Sequence, residues 1–530
     1  MARHSCLRLP CCRHACLRLP THAEQPVLCL APGSLLEVFM HLGITGPTMP
    51  DWPSKIRTLW RWFFNMKLAA SLVCLFTCLT AVAYDRVYVH PFNLFSFNKS
   101  TCEELENLVQ EEKKTFVPIS IESQTTPAYE DDLNNKVKLE TRNLSITRRQ
   151  KLSYLKDFVY VLSVRFYSEL REAQRGQNLL LSPNSIYGLL LSFYLGASNQ
   201  TAIDLQGLLG FVAPSGDPDC TSRVDGHKVL STLRTIESLL VNNRDKELLF
   251  SKTLYLFSAP GVPLFESFVH DLVPSADVFY VQAVNFTNPG EAAKQINTFV
   301  EAKSRGQSKH LLTDLDPATN LLFAVDVHLA VSVKKALRLK EPHEFWVDSN
   351  TKVLVPGMSV TGTFKYKTDT SKTFAVIEAP VSKNALLVLM QPIDGNDLDK
   401  IEAELPLQSS AWLQDLSPRQ IKLTLPELTI EGSSDLQELL ADMKLPTLLG
   451  KDADLSKISD ANLTVGKVIN KVLFKLSSDG ADQPEDPATQ KEDLVLLEVT
   501  LNKPFLLAVF EEKSKAMLFL GRVTNPLSSV

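Results

Sequence analysis

Residues 503–526 read KPFLLAVFEEKSKAMLFLGRVTNP, and the way this stretch must fold limits what the rest of the chain can be. Two apolar runs, Phe505–Phe510 and Ala516–Leu520, flank the charged segment Glu511–Lys515. Each run is too short for a buried helix and is rich in Phe, Leu and Val, which suits a strand covered on both faces. The charged segment, Glu511 and Glu512 included, reads as a solvated turn. With the preceding LLEVTLN (496–502), the C-terminus supplies three strands.

The same pattern extends upstream. LLFAVDVHLAVSV (321–333), KTFAVIEAP (372–380) and ALLVLMQP (385–392) are further apolar runs of strand length, and IKLTLPELTIEG (421–432) alternates around Pro426. Earlier still the period changes from two to about 3.6. Leu152, Leu155, Val159, Leu162, Phe166 and Leu170 recur at three and four, which makes one apolar stripe on a helix. In LLLSPNSIYGLLLSFYLG (179–196) a short strand leads into a helix, with Ser182 placed as N-cap and Pro183 at the first helical position. Another helix is expected over Gln295–Ser304. Helices early and strands late give an α+β protein with one dominant sheet.

The 530 residues are 45% hydrophobic and 22% charged, an ordinary globular composition. The net charge of −5 hides an asymmetry: residues 1–67 carry eight Lys/Arg against three Asp/Glu, leaving 47 basic and 57 acidic residues beyond. An acidic body offers no broad counterion-releasing surface, which argues against nucleic-acid and anionic-membrane binding.

MKLAASLVCLFTCLTAVAYD (66–85) has a basic start, an apolar stretch from Leu68 to Val82 and the small-x-small pattern Ala81-Val82-Ala83. It reads as a secretory signal peptide, with cleavage before Tyr84 or before Asp85, and so places the protein outside the cell. A signal-anchor helix is the competing reading, but the apolar run falls short of the ~20 residues that span a bilayer. Upstream, RHSCLRLP (3–10) recurs almost verbatim as RHACLRLP (13–20). Residues 1–65 are read as a non-structural extension or as the product of a mis-assigned start ahead of Met66. Seven of nine cysteines precede residue 84, and the body keeps Cys102 and Cys220, as one disulfide or as two unpaired thiols. Sequons stand at Asn98, Asn143, Asn199, Asn285 and Asn462.

Catalytic and metal motifs are missing: there is no His-x-x-x-His, no Gly-x-Ser-x-Gly and no phosphate-binding glycine loop. His328, inside an apolar run, is expected to be a satisfied core histidine. No enzyme activity, cofactor or metal is expected.

Four segments together carry a resemblance. Residues 179–210, with Ser182-Pro183 and LGASNQTA, the segment LTLPELTIEGSSDLQELLADMKLPTLL (423–449), VPGMSVTGTF (355–364) and the terminal 503–526 resemble the serpin family over roughly residues 148–526. The resemblance implies one domain (148–530) of three β-sheets and eight to nine helices, with a reactive loop ahead of the last strands. That loop, SSDGADQPEDPATQKEDLVLLEV (477–499), carries Pro484, Pro487 and several carboxylates, and it lacks the family's alanine-rich hinge. Insertion into a sheet would leave carbonyls unpaired at the prolines and bury charge, costing several kcal/mol or more. Phe323–Leu337 also departs from the family's NAxYFKGxW pattern. Protease inhibition is therefore not expected.

YDRVYVHPFNLFSFNKS (84–100) directly follows the leader, and here the chain is similar to the noninhibitory, hormone-carrying serpins. The resemblance implies that Asp85–Leu94 is a decapeptide product and that renin, an aspartic protease, cuts Leu94–Phe95. A dipeptidyl carboxypeptidase would then remove Asn93-Leu94, leaving Asp85–Phe92, whose Arg86, Tyr88, His90, Pro91 and Phe92 are read by a G-protein-coupled receptor. Asn93 stands where mammalian members carry histidine. By the same resemblance Cys102 pairs with Cys220. From the residues alone, Phe92, Leu94, Phe95 and Phe97 supply the large apolar groups such a protease favours. The segment is expected to be exposed and extended, the alternative being that its aromatics pack against the body as an edge strand, and it is followed by a polar tail (95–147) with little core. An inhibitory serpin and a ligand-carrier serpin with an incidental tail are the alternatives.

Overall fold

The computed structural model describes residues 90–102, 113–121, 145–214, 220–240, 247–368, 373–393, 398–403, 405, 413–445, 448–479 and 496–527. The extension 1–65, the signal peptide, Asp85–Val89 with Arg86 and Tyr88, Asn143 and loop residues 480–495 lie outside them. The chain divides at Tyr88/Val89 into two compact units, and every described residue belongs to the second, Val89–Val530.

Among the described residues the helices are α1 (Pro91–Phe95), α2 (Ile146–Ala173), α3 (Pro183–Gly196), α4 (Asn199–Leu208), α5 (Gly226–Leu240), α6 (Glu266–Leu272), α7 (Pro289–Lys303), α8 (Leu398–Ala403) and α9 (Leu436–Asp442). The early strands are β1 (Thr115–Phe116), β2 (Leu179–Leu181), β3 (Leu248–Ser258), β4 (Leu264–Phe265), β5 (Val278–Ala283) and β6 (Leu321–Val333). Then come β7 (Leu337–Arg338), β8 (His343–Trp346), β9 (Lys352–Val355), β10 (Gly357–Thr368), β11 (Phe374–Pro380) and β12 (Ala385–Pro392). The last are β13 (Ser417–Pro426), β14 (Leu428–Asp435), β15 (Val465–Ser478), β16 (Leu497–Thr500), β17 (Phe505–Glu511) and β18 (Met517–Val523).

A five-stranded sheet runs β14-β15-β6-β3-β5. A nine-stranded ladder runs β16-β13-β10-β11-β12-β17-β18-β2, with β7 paired to β10. Strand β10 belongs to both arms of that ladder, pairing with β13 along Gly357–Tyr366 and with β11 along Lys365–Thr368. The five-stranded sheet and the two arms make up the three-sheet α+β architecture implied by the serpin resemblance. Pro426 ends β13 because it has no N–H to donate. Past Glu427 the chain enters β14 and so passes from the nine-stranded ladder to the five-stranded sheet.

The stripe expected on α2 is the face it buries: Leu152, Leu155, Val159, Leu162, Phe166 and Leu170 all belong to the core. Ser145 caps that helix by accepting from the Arg148 amide. Ser182 occupies the N-cap position of α3 and Pro183 the first helical one, but the Ser182 side chain makes no capping bond; its carbonyl accepts instead from Ser185 Oγ. Helix α7 begins at Pro289 on an Asn288 cap, six residues ahead of the expected start.

Two expectations are overturned by packing. Glu511 is fully buried, not solvated: its carboxylate accepts from the Lys513 and Ser514 amides and the Ser514 hydroxyl, and so closes the β17–β18 turn from inside. The tail after residue 95 is also not free. Residues 115–116 pair with β4, and the Ala283 amide donates to the Ile119 carbonyl at the edge of the five-stranded sheet. His328 is a satisfied histidine, with Ser308 and Asp326 on Nε2 and Gln307 on Nδ1.

No helix among the described residues is long and apolar enough to cross a membrane.

Candidate functional site

The candidate bond Leu94–Phe95 is not in an extended, exposed tail. It lies at the end of α1, a five-residue turn of helix, and Phe92, Leu94 and Phe95 are 2%, 8% and 0% exposed. The reason is the spacing: a helical turn puts positions i and i+3 side by side, so Phe92 and Phe95 enter the core together. Burying each such side chain contributes about 1.5–3 kcal/mol, enough to hold a short turn that could not stand alone. Pro91 sits at the first helical position with φ already set, and His90 Nδ1 accepts from the Phe92 amide at 3.3 Å. Asn93 points outward.

Phe95 is received by an aromatic pocket. Its ring meets Phe211 edge-on at 5.3 Å between centroids, and Phe211 meets Phe158 at 5.1 Å. Lys151 Nζ lies 5.8 Å above the Phe95 ring. Burial, together with the nearby Lys228 charge, holds the Lys151 ammonium below the usual lysine range.

Past the bond, the backbone is clamped. Ser96 forms an antiparallel bridge with Val224: the Asp225 amide donates to the Phe95 carbonyl at 2.8 Å and the Phe97 amide to the Arg223 carbonyl at 3.2 Å. The Ser96 amide donates back to the Phe92 carbonyl, and its own carbonyl accepts from Lys228 Nζ at 2.8 Å. The receiving segment is itself fixed. The Val224 carbonyl accepts from Tyr194 on α3 at 2.6 Å, and Gln206 on α4 bonds the Val224 amide and the Ser222 carbonyl. Asp225 caps α5 through the His227 and Lys228 amides.

Cys102 and Cys220 are joined, with Cα atoms 5.8 Å apart, which ties the chain just beyond the clamp to the start of the receiving segment. Asn98 closes the intervening turn by accepting from Ser100 Oγ and from Thr101. Asn98, Asn199, Asn285 and Asn462 are exposed; Asn199 Nδ2 bonds Asp454. Sequence reasoning did not single out Arg223, Val224, Asp225, Lys228 or Phe211. Four of these lie in DCTSRVDGHKVL (219–230), where Asp-Gly ahead of an apolar stripe was a readable helix start.

Away from this site, a cavity of about 1070 Å3 opens between α2, α8 and the β8–β9 hairpin, with Trp346, Arg171, Arg175 and Lys503 in its wall. At its floor Glu402 accepts from Tyr167 at 2.5 Å and pairs with Arg522 at 3.3 Å. Among the described residues no group of three or more His, Cys, Asp or Glu could hold a metal ion.

The model of the Serpin family, serine protease inhibitors, matches residues 159–526. Angiotensinogen of Rattus norvegicus is 39% identical over 473 residues, 87% of this chain and 98% of that protein. Angiotensinogens of Bos taurus and Homo sapiens are 41% and 38% identical, each over 88% of this chain and 99% of their own. Among solved structures, uncleaved ovalbumin superposes with a TM-score of 0.60 at 20% identity, covering 70% of this chain and all of its own. Human thyroxine-binding globulin in complex with thyroxine gives 0.59 at 23% identity, covering 71% of this chain and all of its own. At these identities the two structures speak for the fold alone.

Proposed function

The chain belongs to the serpin family and within it to the angiotensinogens, noninhibitory serpin-fold prohormones, and from that premise we propose that it is a secreted precursor opened by renin at Leu94–Phe95. The product is the decapeptide Asp85–Leu94. Angiotensin-converting enzyme, a dipeptidyl carboxypeptidase, then removes Asn93-Leu94, and the octapeptide Asp85–Phe92 acts through the G-protein-coupled angiotensin receptor on vascular tone, blood pressure and salt balance. Domain boundaries follow the sequence reading: leader 66–84, hormone 85–94, tail 95–147 and serpin body from 148.

The observation that supports this most is that Pro91–Phe95 belongs to no sheet and packs as a separate turn, clamped by residues 223–228 of the body. A precursor needs such an arrangement, because the bond must survive in circulation and open only for its own protease. An aspartic protease takes its substrate extended, so α1 has to unwind and the clamp has to part before the cut. The body is the gate and the N-terminus the cargo. The new carboxylate beside Phe92, created only after trimming, gives the receptor an end that the precursor does not present.

Incubation with renin of the same species and mass measurement of the released peptide tests this. The mass of Asp85–Leu94, or of Tyr84–Leu94, supports the reading, and any other mass contradicts it. The inhibitory alternative predicts an SDS-stable complex with a serine protease. The carrier alternative would use the cavity beside Trp346 and predicts a ligand-dependent rise in Tm.

A further inference from the structure

We infer that Lys228 is a positioning residue that sets how often the cleavage segment opens, a role that rests on the renin reading above. From the Phe95 carbonyl to the Phe97 amide, the main-chain polar groups on the far side of the bond are taken up inside the molecule. The Phe95 carbonyl and the Phe97 amide face the 223–225 segment, and the Ser96 amide is used by α1. The Ser96 carbonyl points the other way and is met by Lys228 Nζ. A protease that binds these residues as an extended strand needs the same groups, so each internal bond counts against its binding.

The receiving segment cannot yield easily, because Tyr194 and Gln206 hold it on α3 and α4. The contact that can give way is therefore the side-chain one. Lys228 is 31% exposed, with Asp225 as its ion partner at 3.4 Å and Lys151 as a repelling neighbour. Its ammonium has water as a ready alternative to the Ser96 carbonyl, so the bond can break without stranding a buried charge. A charge-assisted bond of this kind shifts an opening equilibrium by roughly three- to ten-fold when partly solvated. Because the competent state is the open one, its population scales the apparent affinity directly.

The test compares wild type, Lys228→Met and Lys228→Arg as full chains with renin of the same species, beside a synthetic peptide Asp85–Phe97 that has no clamp. Lys228→Met is expected to raise kcat/KM roughly three- to ten-fold through a lower KM at unchanged kcat. Lys228→Arg, which keeps a donor, is expected to stay near wild type. Hydrogen exchange should quicken at Phe97 and Asp225 in Lys228→Met, with the β6 and β15 amides unchanged. If the peptide is cut at Leu94–Phe95 but Lys228→Met is cut at the wild-type rate, the inference falls and the renin reading stands. Exchange that quickens throughout the sheet also overturns it, as general loosening. If neither peptide nor protein is cut there, the renin reading falls, and exchange at Phe97 alone decides whether Lys228 holds the segment.

Discussion

The rings of Phe95 and Phe211, 116 positions apart in the chain, meet edge to face with centroids 5.3 Å apart and an interplanar angle of 62°. The first residue after the proposed cut is thus seated in the body by a contact that a protease has to undo. Phe211→Ala is expected to lower the unfolding free energy by about 3–5 kcal/mol, as for other buried aromatics. The same exchange should speed cleavage by renin, since Phe95 loses its seat. Urea unfolding and initial cleavage rates measured on one preparation check both, and a destabilised variant cut no faster would show that the seat does not gate the bond.

The Cys102–Cys220 bond closes a span of 118 residues. Cross-links of that length are expected to stabilise by on the order of 2–5 kcal/mol. More to the point, this one keeps the segment after Phe97 close to its receiving strand, which raises the effective concentration of the clamp. Cys102→Ser is expected to increase both cleavage rate and exchange at Phe97. Identical rates in the variant and the oxidised wild type would remove any presenting role for the tether.

Glu427, between β13 and β14, accepts from the Ser478 amide and hydroxyl at the end of β15 and from Arg338 at 2.6 Å. Burial pushes its carboxyl up, but the Arg338 guanidinium and the Ser478 donors outweigh that and hold it below the usual range. A depressed carboxylate stabilises the fold above its ordinary pKa of about 4.3, and this contribution is lost as pH falls through the lower folded value. Unfolding free energy should therefore drop more steeply on acidification in wild type than in Glu427→Gln. Parallel pH profiles would rule out Glu427 as a source of that slope.

Arg522 and Glu402 form an ion pair whose side chains are only 5% and 0% exposed. Removing one partner strands the other, so Arg522→Met is expected to cost about 3–5 kcal/mol. Burial raises the Glu402 carboxyl pKa against the pull of Tyr167 and Arg522, a sign that the site already disfavours the charge. Adding Glu402→Gln, which keeps an acceptor for Tyr167, should recover part of the loss. Equal unfolding energies for the single and double variants would show that the stranded charge is not the cause.

Much of the body was legible because its signals are local. The stripe on α2, the proline that ends β13 and the apolar runs of β6, β12 and β17 each declare themselves within fewer than twenty consecutive residues. The site was harder to read. PFNLF is a weak helix by any local measure, and it forms because Val224, Asp225, Lys228 and Phe211 lie more than a hundred residues further on. Glu511 misled for a related reason: EEKSK has the composition of a solvated turn, yet its first carboxylate is drawn inward to satisfy the amides of that turn. The octapeptide could be recognised as a word, but the burial of Phe92, Leu94 and Phe95 could not, because it depends on the body surface that receives them.

The central claim, a serpin body that shields one bond and releases one peptide, is tested most directly by sequencing both products of a limited renin digest of the folded chain. The account predicts a body whose new N-terminus is Phe95, still carrying the Cys102–Cys220 bond, and a peptide that ends at Leu94. A body starting at any other residue, or a folded chain left intact under conditions that cut the free Asp85–Phe97 peptide only at a different bond, would contradict it.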